Sequence, residues 1–437
     1  MYRTVHTFTA AAIFFISTLV PTQAASPIDY GEGPVMPGVF KDNIKTVNIH
    51  RDGWKLSYPI IDLNGPVNLL LSFDDLSNEI RNYYYKIIHC NADWTPSSLS
   101  ESEYLDGFLQ NQITDYQYSF NTYFKYIHYS LKLPNDDVQF KVSGNYAIVV
   151  YQDYNEDDVV FTKRFYVAET IVDVNANIKR PALSMYRDIG QEVDFTVNYG
   201  SFPVRDPYSD IKVTVLQNGR WDNAITTLKP LYDRNGILDY DYNMENVFMG
   251  GNEFRWFDFK SFRYQSPYIK DVAFKQDHFY VDLFPDATKE GQQYFFEDDI
   301  NGRYYVEVQE ENNNDTDADY AYVNFNLKMD PLPDNSAVYV MGELTNWIFN
   351  DHNKMTYNAD SAGYILTLPL KQGYYNYEYG VMKKGNQNAS LDATEGNHYE
   401  TENDYIILVY FHGTTSRYER LIGYQIANSL HQDTNQR

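Results

Sequence analysis

His89, Cys90 and Asp93 are the side chains of this sequence whose types and spacing come nearest to a nucleophile, its base and an orienting carboxylate. A thiolate attacks when a neighbouring base takes its proton and a third group holds that base. The run Tyr84 to Cys90 reads as a buried strand, however, and adjacent strand residues point to opposite faces. His89 and Cys90 therefore do not pair directly, and Cys90 reads as a small core hydrophobe. His50, His128, His278, His352, His398 and His412 are too dispersed for a metal-ligand signature. Asp315, Asp317 and Asp319 have the alternate-carboxylate spacing that begins a calcium loop. Tyr320 replaces the glycine that such a loop needs and Asn326 its final glutamate, so a solvated hairpin loop is expected. No phosphate-cradling glycine loop and no HExxH helix occurs, and nothing singles out a hydrolytic pair among the 60 Asp and Glu residues. No catalytic residue, cofactor, metal or small-molecule substrate is expected.

The elements that carry these side chains are strands. Val193, Phe195, Val197 and Tyr199 alternate with Asp194, Thr196 and Asn198, as a strand with one buried face should. Ile211, Val213 and Val215 repeat the pattern, and Asn218-Gly219 marks a hairpin before Trp221 because both residues tolerate positive φ. Tyr304 to Val308 and Ala321 to Leu327 read as paired strands joined by the acidic loop. One short helix is signalled, by the capping pattern Ser98-Leu99-Ser100-Glu101. Many short strands separated by Gly, Pro and Asn turns predict an all-β chain of tandem, immunoglobulin-like β-sandwiches.

Composition narrows the function classes. Forty-three per cent of the residues are hydrophobic, which excludes disorder as the default, and 437 residues exceed what one core holds. The 42 tyrosines outnumber Lys and Arg together, at 35, and tyrosine suits both strands and interfaces. Net charge is −25, so nucleic acid is excluded as a partner because binding it requires phosphate neutralisation. The single cysteine rules out an intramolecular disulfide. Arg3 and His6, the apolar run Phe8 to Val20, and Thr22-Gln23-Ala24 predict a secretory signal peptide over 1–24, cleaved after Ala24. That run falls short of the ~20 residues of a membrane span, and no longer apolar run follows, so no transmembrane segment is expected in the mature chain.

Ordered segments within the first 300 or so residues carry a family resemblance. Asp74-Asp75-Leu76 leads into Tyr84 to Trp94, followed by Glu103-Tyr104-Leu105-Asp106-Gly107-Phe108, Ser119-Phe120-Asn121-Thr122, Tyr129 to Asn135 and Ser143-Gly144-Asn145-Tyr146. This pattern resembles the plug protein of the type IX secretion system, the protein-export machine of the Bacteroidetes. The resemblance implies a non-enzymatic periplasmic protein, peripherally associated with the outer membrane. Its implied partner is the giant outer-membrane β-barrel translocon, whose periplasmic opening it closes. The polar-aromatic segment Asn91 to Phe108 is expected to face that partner, with Trp94, Tyr104, Asp106 and Phe108 as the candidate contact residues and Trp94 and Tyr104 as anchors, since large aromatics dominate interface energy.

Composition shifts place the boundaries. A first sandwich is expected over 25–170, a second over 171–330 ending at Met329-Asp330-Pro331-Leu332-Pro333, and a third over 331–437. Within the third, Val338 to Trp347, Gly363 to Leu370 and Gly373 to Tyr379 resemble early-set immunoglobulin-like domains, which include glycogen-binding modules. Trp347 would be their sugar platform, although Glu378 stands where those modules carry a basic residue. A periplasmic glycan-binding protein and, further off, a polysaccharide-active enzyme are the alternative readings.

Overall fold

The structure is a computed structural model that describes residues 33–431 apart from Leu109 and Gln265; the expected signal peptide lies outside the described residues. Strands dominate, as the period-2 patterning requires. A short helix does form, at Glu101–Tyr104, but its capping box is Ser100 with Glu103, whose carboxylate reaches back to the Ser100 N–H at 2.8 Å, two residues beyond the expected Ser98 and Glu101.

The first sandwich packs two sheets around one core. One contains Gly38–Val39, Asn155–Ala168, Gly144–Gln152, Tyr83–Cys90 and Asn111–Gln112, with Ile60–Asp62 joined in parallel. The other runs Ile44–Arg51, Leu69–Asp75, Ile127–Leu133 and Asp115–Tyr118. Alternate residues fill the interior, including Leu69, Leu71 and Phe73 from one sheet against Tyr83, Tyr85 and Ile87 from the other. Aromatic edges lock it further, with Phe73 and Tyr83 5.2 Å apart at an interplanar angle of 82°.

The second and third units depart from the expected boundaries. Ile211–Gln217 pairs with Asp404–Phe411, which pairs in turn with Arg420–Asn428. This three-stranded sheet faces one built on Asp173–Lys179, Gly190–Asn198 and Ile237–Tyr240. Val193, Phe195, Val213 and Val215 share a core with Tyr405, Ile407, Val409 and Ile422. The unit expected over 331–437 is therefore divided: its last two strands complete the second sandwich. The chain after Ile211–Gln217 returns to it only at one bridge between Val215 and Ile225, and the open edge is taken by Asp404–Phe411.

A third sandwich is inserted between those halves. Arg255–Asp258, Gly373–Lys383, Tyr304–Val306 and Ser336–Met341 form one of its sheets. Ile269–Lys275, His278–Leu283, Tyr320–Lys328, Gly363–Lys371 and Thr356–Asn358 form the other. The expected pairing of the strands near 304 and 321 is thus corrected, since Tyr304–Val306 and Tyr320–Lys328 lie in opposite sheets of one core. The boundary expected near 330 falls inside this inserted sandwich.

Candidate docking face and the residues around it

His89 and Cys90 take opposite sides of their strand. The His89 ring lies among Tyr104, Tyr146 and Tyr418, with Nδ1 2.8 Å from Ser97 Oγ, and burial pulls its pKa down to about 4. Cys90 lies on the other face, and burial pushes its thiol up to about 12. A neutral imidazole facing away from an un-ionised thiol has no means of activating it.

Cys90 belongs to a seam between sandwiches. The outer face of the first sandwich, with Cys90, Ala147 and Tyr166, packs on Leu216, Ile406, Leu408 and Tyr410 of the second. This explains why Gly144–Gln152 and Asp404–Phe411 are buried on both faces. Trp94 is sealed in the same seam, only 1% exposed, edge-on to Tyr166 and Trp221 at 5.4 Å and under the Arg164 guanidinium at 4.3 Å. Tyr104 is also buried, donating its hydroxyl to the Ile87 carbonyl at 3.0 Å. Asp106, within a two-stranded ribbon, and Phe108, just after it, are exposed, Phe108 at 69%; Gly107 between them has φ 124° and leaves no room for a Cβ beside the Asp137 carbonyl. Two of the four expected contact residues are therefore interior supports, and two reach solvent.

A larger exposed aromatic band was not singled out from the sequence. Asp115–Tyr118 is an edge strand exposed at every position, and it presents Tyr116 and Tyr118 with their rings 6.3 Å apart. Phe120 follows at 70% exposure, and Tyr123 meets Phe274 of the inserted sandwich at 4.5 Å. The signal was present in the alternation Tyr116, Tyr118, Phe120, which has no apolar partner on the intervening positions.

The backbone beneath the band is held by buried polar groups. The Asp319 carboxylate accepts the N–H groups of Phe124 at 3.0 Å and Tyr320 at 2.8 Å, and that of Tyr123 as well. The Tyr126 hydroxyl donates to the Ala318 carbonyl at 2.7 Å. The acidic loop therefore fastens the inserted sandwich to the first, and its third carboxylate is committed to backbone donors. A group of three carboxylates with cation-binding spacing, Glu192, Asp194 and Asp241, surrounds the Lys179 ammonium, which stands where an ion would.

Trp347 is partly buried. Its ring lies against Gly302 and 6.0 Å from Phe254, beneath the Arg220 guanidinium. Arg220 in turn bonds the buried Glu378 at 3.0 Å, so the acidic residue that departs from the glycogen-binding pattern is an anchor between the second and inserted sandwiches.

Residues 44–169, most of the first sandwich, match the family model described as type 9 secretion system plug protein, first domain. A crystal structure of a hypothetical protein from Parabacteroides merdae is 37% identical and superposes with a TM-score of 0.88, covering 90% of this chain and 99% of that one. The chain belongs to the type IX secretion system plug protein family. No curated protein matches it. The plug-family model therefore spans the buried side of the interdomain seam, the aromatic edge strand and the ribbon that carries Phe108. Among the described residues no helix is long and apolar enough to cross a membrane.

Proposed function

We propose that this protein is a non-enzymatic plug that binds the periplasmic opening of the giant outer-membrane β-barrel translocon of the type IX system and closes it by volume. The observation that carries this reading is the plug-family match over the first sandwich. The mechanical build supports it. Three close-packed sandwiches are clamped by an apolar seam, by the buried pairs Arg220–Glu378 and Lys371–Asp74, and by the partly buried pair Arg303–Asp404. Close-packed interiors resist deformation, so such a body obstructs a pore without needing chemistry. The contact is assigned to the exposed Phe108 and to the band Tyr116, Tyr118, Phe120 and Tyr123, because large aromatics carry a disproportionate share of interface energy.

In this reading the mature chain begins at Ala25 and resides in the periplasm against the outer membrane; intact-mass measurement of the exported protein checks the cleavage. The deciding experiment compares uptake of a bulky, normally excluded antibiotic in a deletion strain, with and without simultaneous removal of the barrel. Uptake that rises on deletion and returns to the parental level when the barrel is also removed is the expected result. A rise that is independent of the barrel would refute plugging.

A further inference from the structure

Between the first and inserted sandwiches lies a cleft of about 240 Å³ whose lining includes Lys45 and Thr46. The ladder joining Ile44–Arg51 to Leu69–Asp75 skips from Lys45 to Asn48, and Thr46 sits at φ 51°. Positive φ is costly for a β-branched residue, and a bulge of this kind re-aims the side chains beside it. The Thr46 hydroxyl bonds the Tyr320 phenol at 2.5 Å, which ties the bulge to the inserted sandwich.

Lys45, immediately before the bulge, is half-buried. Its ammonium has no hydrogen-bond or ion-pair partner among the described residues; the exposed Asp42 at the cleft's edge acts on it by charge alone and lies 3.7 Å from His352 Nε2. The other polar side chains along the cleft are engaged. Lys41 pairs with Asp158, Asn346 with Lys163, Thr367 with Asn324, and Asn353 with the Val340 and Ile348 carbonyls. Asp42, Thr345, Asn350 and His352 also line the cleft, and its apolar wall includes Ile44, Leu344 and Leu370. Burial pulls the Lys45 pKa down, and the charge of Asp42 offsets only part of that lost hydration.

We propose that this cleft binds a small carboxylate ligand, its anionic group on the Lys45 ammonium and its apolar body against Ile44, Leu344 and Leu370. Charge complementarity selects the head group. The volume lies below the ~300 Å³ at which ordinary ligand pockets begin, so the body is the size of one side chain or a short acid. A free organic acid and the C-terminal end of a peptide share this chemistry.

The test is calorimetric titration of the mature protein with hexanoate and with N-acetyl-leucine, each against its neutral amide. The acids should bind roughly tenfold or more tighter than the amides, the worth of a charge-assisted hydrogen bond. Lys45→Met should abolish that difference and Lys45→Arg retain it, with thermal unfolding confirming that both variants are folded. Preference for hexanoate identifies a free acid as the source, and preference for N-acetyl-leucine a chain terminus. Equal binding of acid and amide, undiminished binding by Lys45→Met, or no binding of either acid would overturn the assignment. Should Lys45→Met fail to fold, acetylation of Lys45 in the wild-type protein, read by peptide mass, replaces it. Either acid should then protect Lys45, and absence of protection overturns the proposal.

Discussion

Replacing Lys371 by Met should loosen the inserted sandwich from the first, because Lys371 is half of the most deeply buried ion pair between them. Its Nζ lies 2.7 Å from Asp74 Oδ2 and 2.7 Å from the Asp315 carbonyl, and the two side chains are 1% and 0% exposed. Asp74 also accepts the Tyr320 hydroxyl at 2.6 Å and lies 2.7 Å from His128 Nδ1. Burial pushes the Asp74 carboxyl up, but Lys371 and His128 outweigh it and leave the group below the ordinary carboxylate range. Removing one partner of a buried pair costs ~3–5 kcal/mol because the remaining charge loses its compensation. With Tyr320 and His128 still on Asp74, the lower end applies, about 3 kcal/mol for Lys371→Met. Removing both charges, in Asp74→Asn with Lys371→Met, should cost about 2 kcal/mol less than the sum of the single changes.

Urea unfolding followed by tryptophan fluorescence reads these differences. The pH dependence has a definite sign. A carboxyl with a depressed folded pKa contributes stability that is present above its unfolded value and lost as pH falls through the folded one. Asp74→Asn should therefore flatten the acid limb of the stability profile. A Lys371→Met protein within about 0.5 kcal/mol of wild type, or strictly additive single changes, would refute the reasoning.

Trp94→Ala should cost ~3–5 kcal/mol by emptying the interdomain seam, whereas Phe108→Ala should stay within about 0.5 kcal/mol, a contrast that thermal unfolding shows directly. Burial holds the Asp299 carboxyl up to about 8, so between roughly pH 4 and 8 the folded state keeps a proton that the unfolded chain has released. That contribution makes stability fall as pH rises through the window, and Asp299→Asn should reduce the fall measured between pH 5 and 8. The Cys90 thiol should resist a thiol reagent until the protein is unfolded, and Cys90→Ser should cost ~1–3 kcal/mol in urea unfolding with translocon capture intact. Phe120→Asp should leave the unfolding midpoint unchanged and weaken capture of the barrel from native outer membranes by more than ~1 kcal/mol.

What the sequence alone determined is local. Alternation at Val193 to Tyr199 and at Ile211 to Val215 produced strands because a sheet face buries every second residue. Asn218 and Gly219 adopt the positive φ expected of them, and the expected short helix forms two residues later than its capping signal, from a box of Ser100 and Glu103. The opposed directions of His89 and Cys90 follow from the same two-residue period, and the plug-family resemblance was legible in the ordered segments from Asp74 to Tyr146.

Partner choice was decided by tertiary structure. Ile211–Gln217 needed a strand to cover its edge, and hydrogen-bonding geometry accepts any extended segment, so a strand almost two hundred residues later could fill the place as well as a neighbour. Trp94 looked like an exposed anchor because a large aromatic in a polar loop reads the same whether the loop meets solvent or another sandwich. Only the packing of the first sheet against Ile406, Leu408 and Tyr410 distinguishes the two. The alternation of Tyr116, Tyr118 and Phe120 signalled a shared face, but that this face stays open to solvent was decided by which faces the other sandwiches cover.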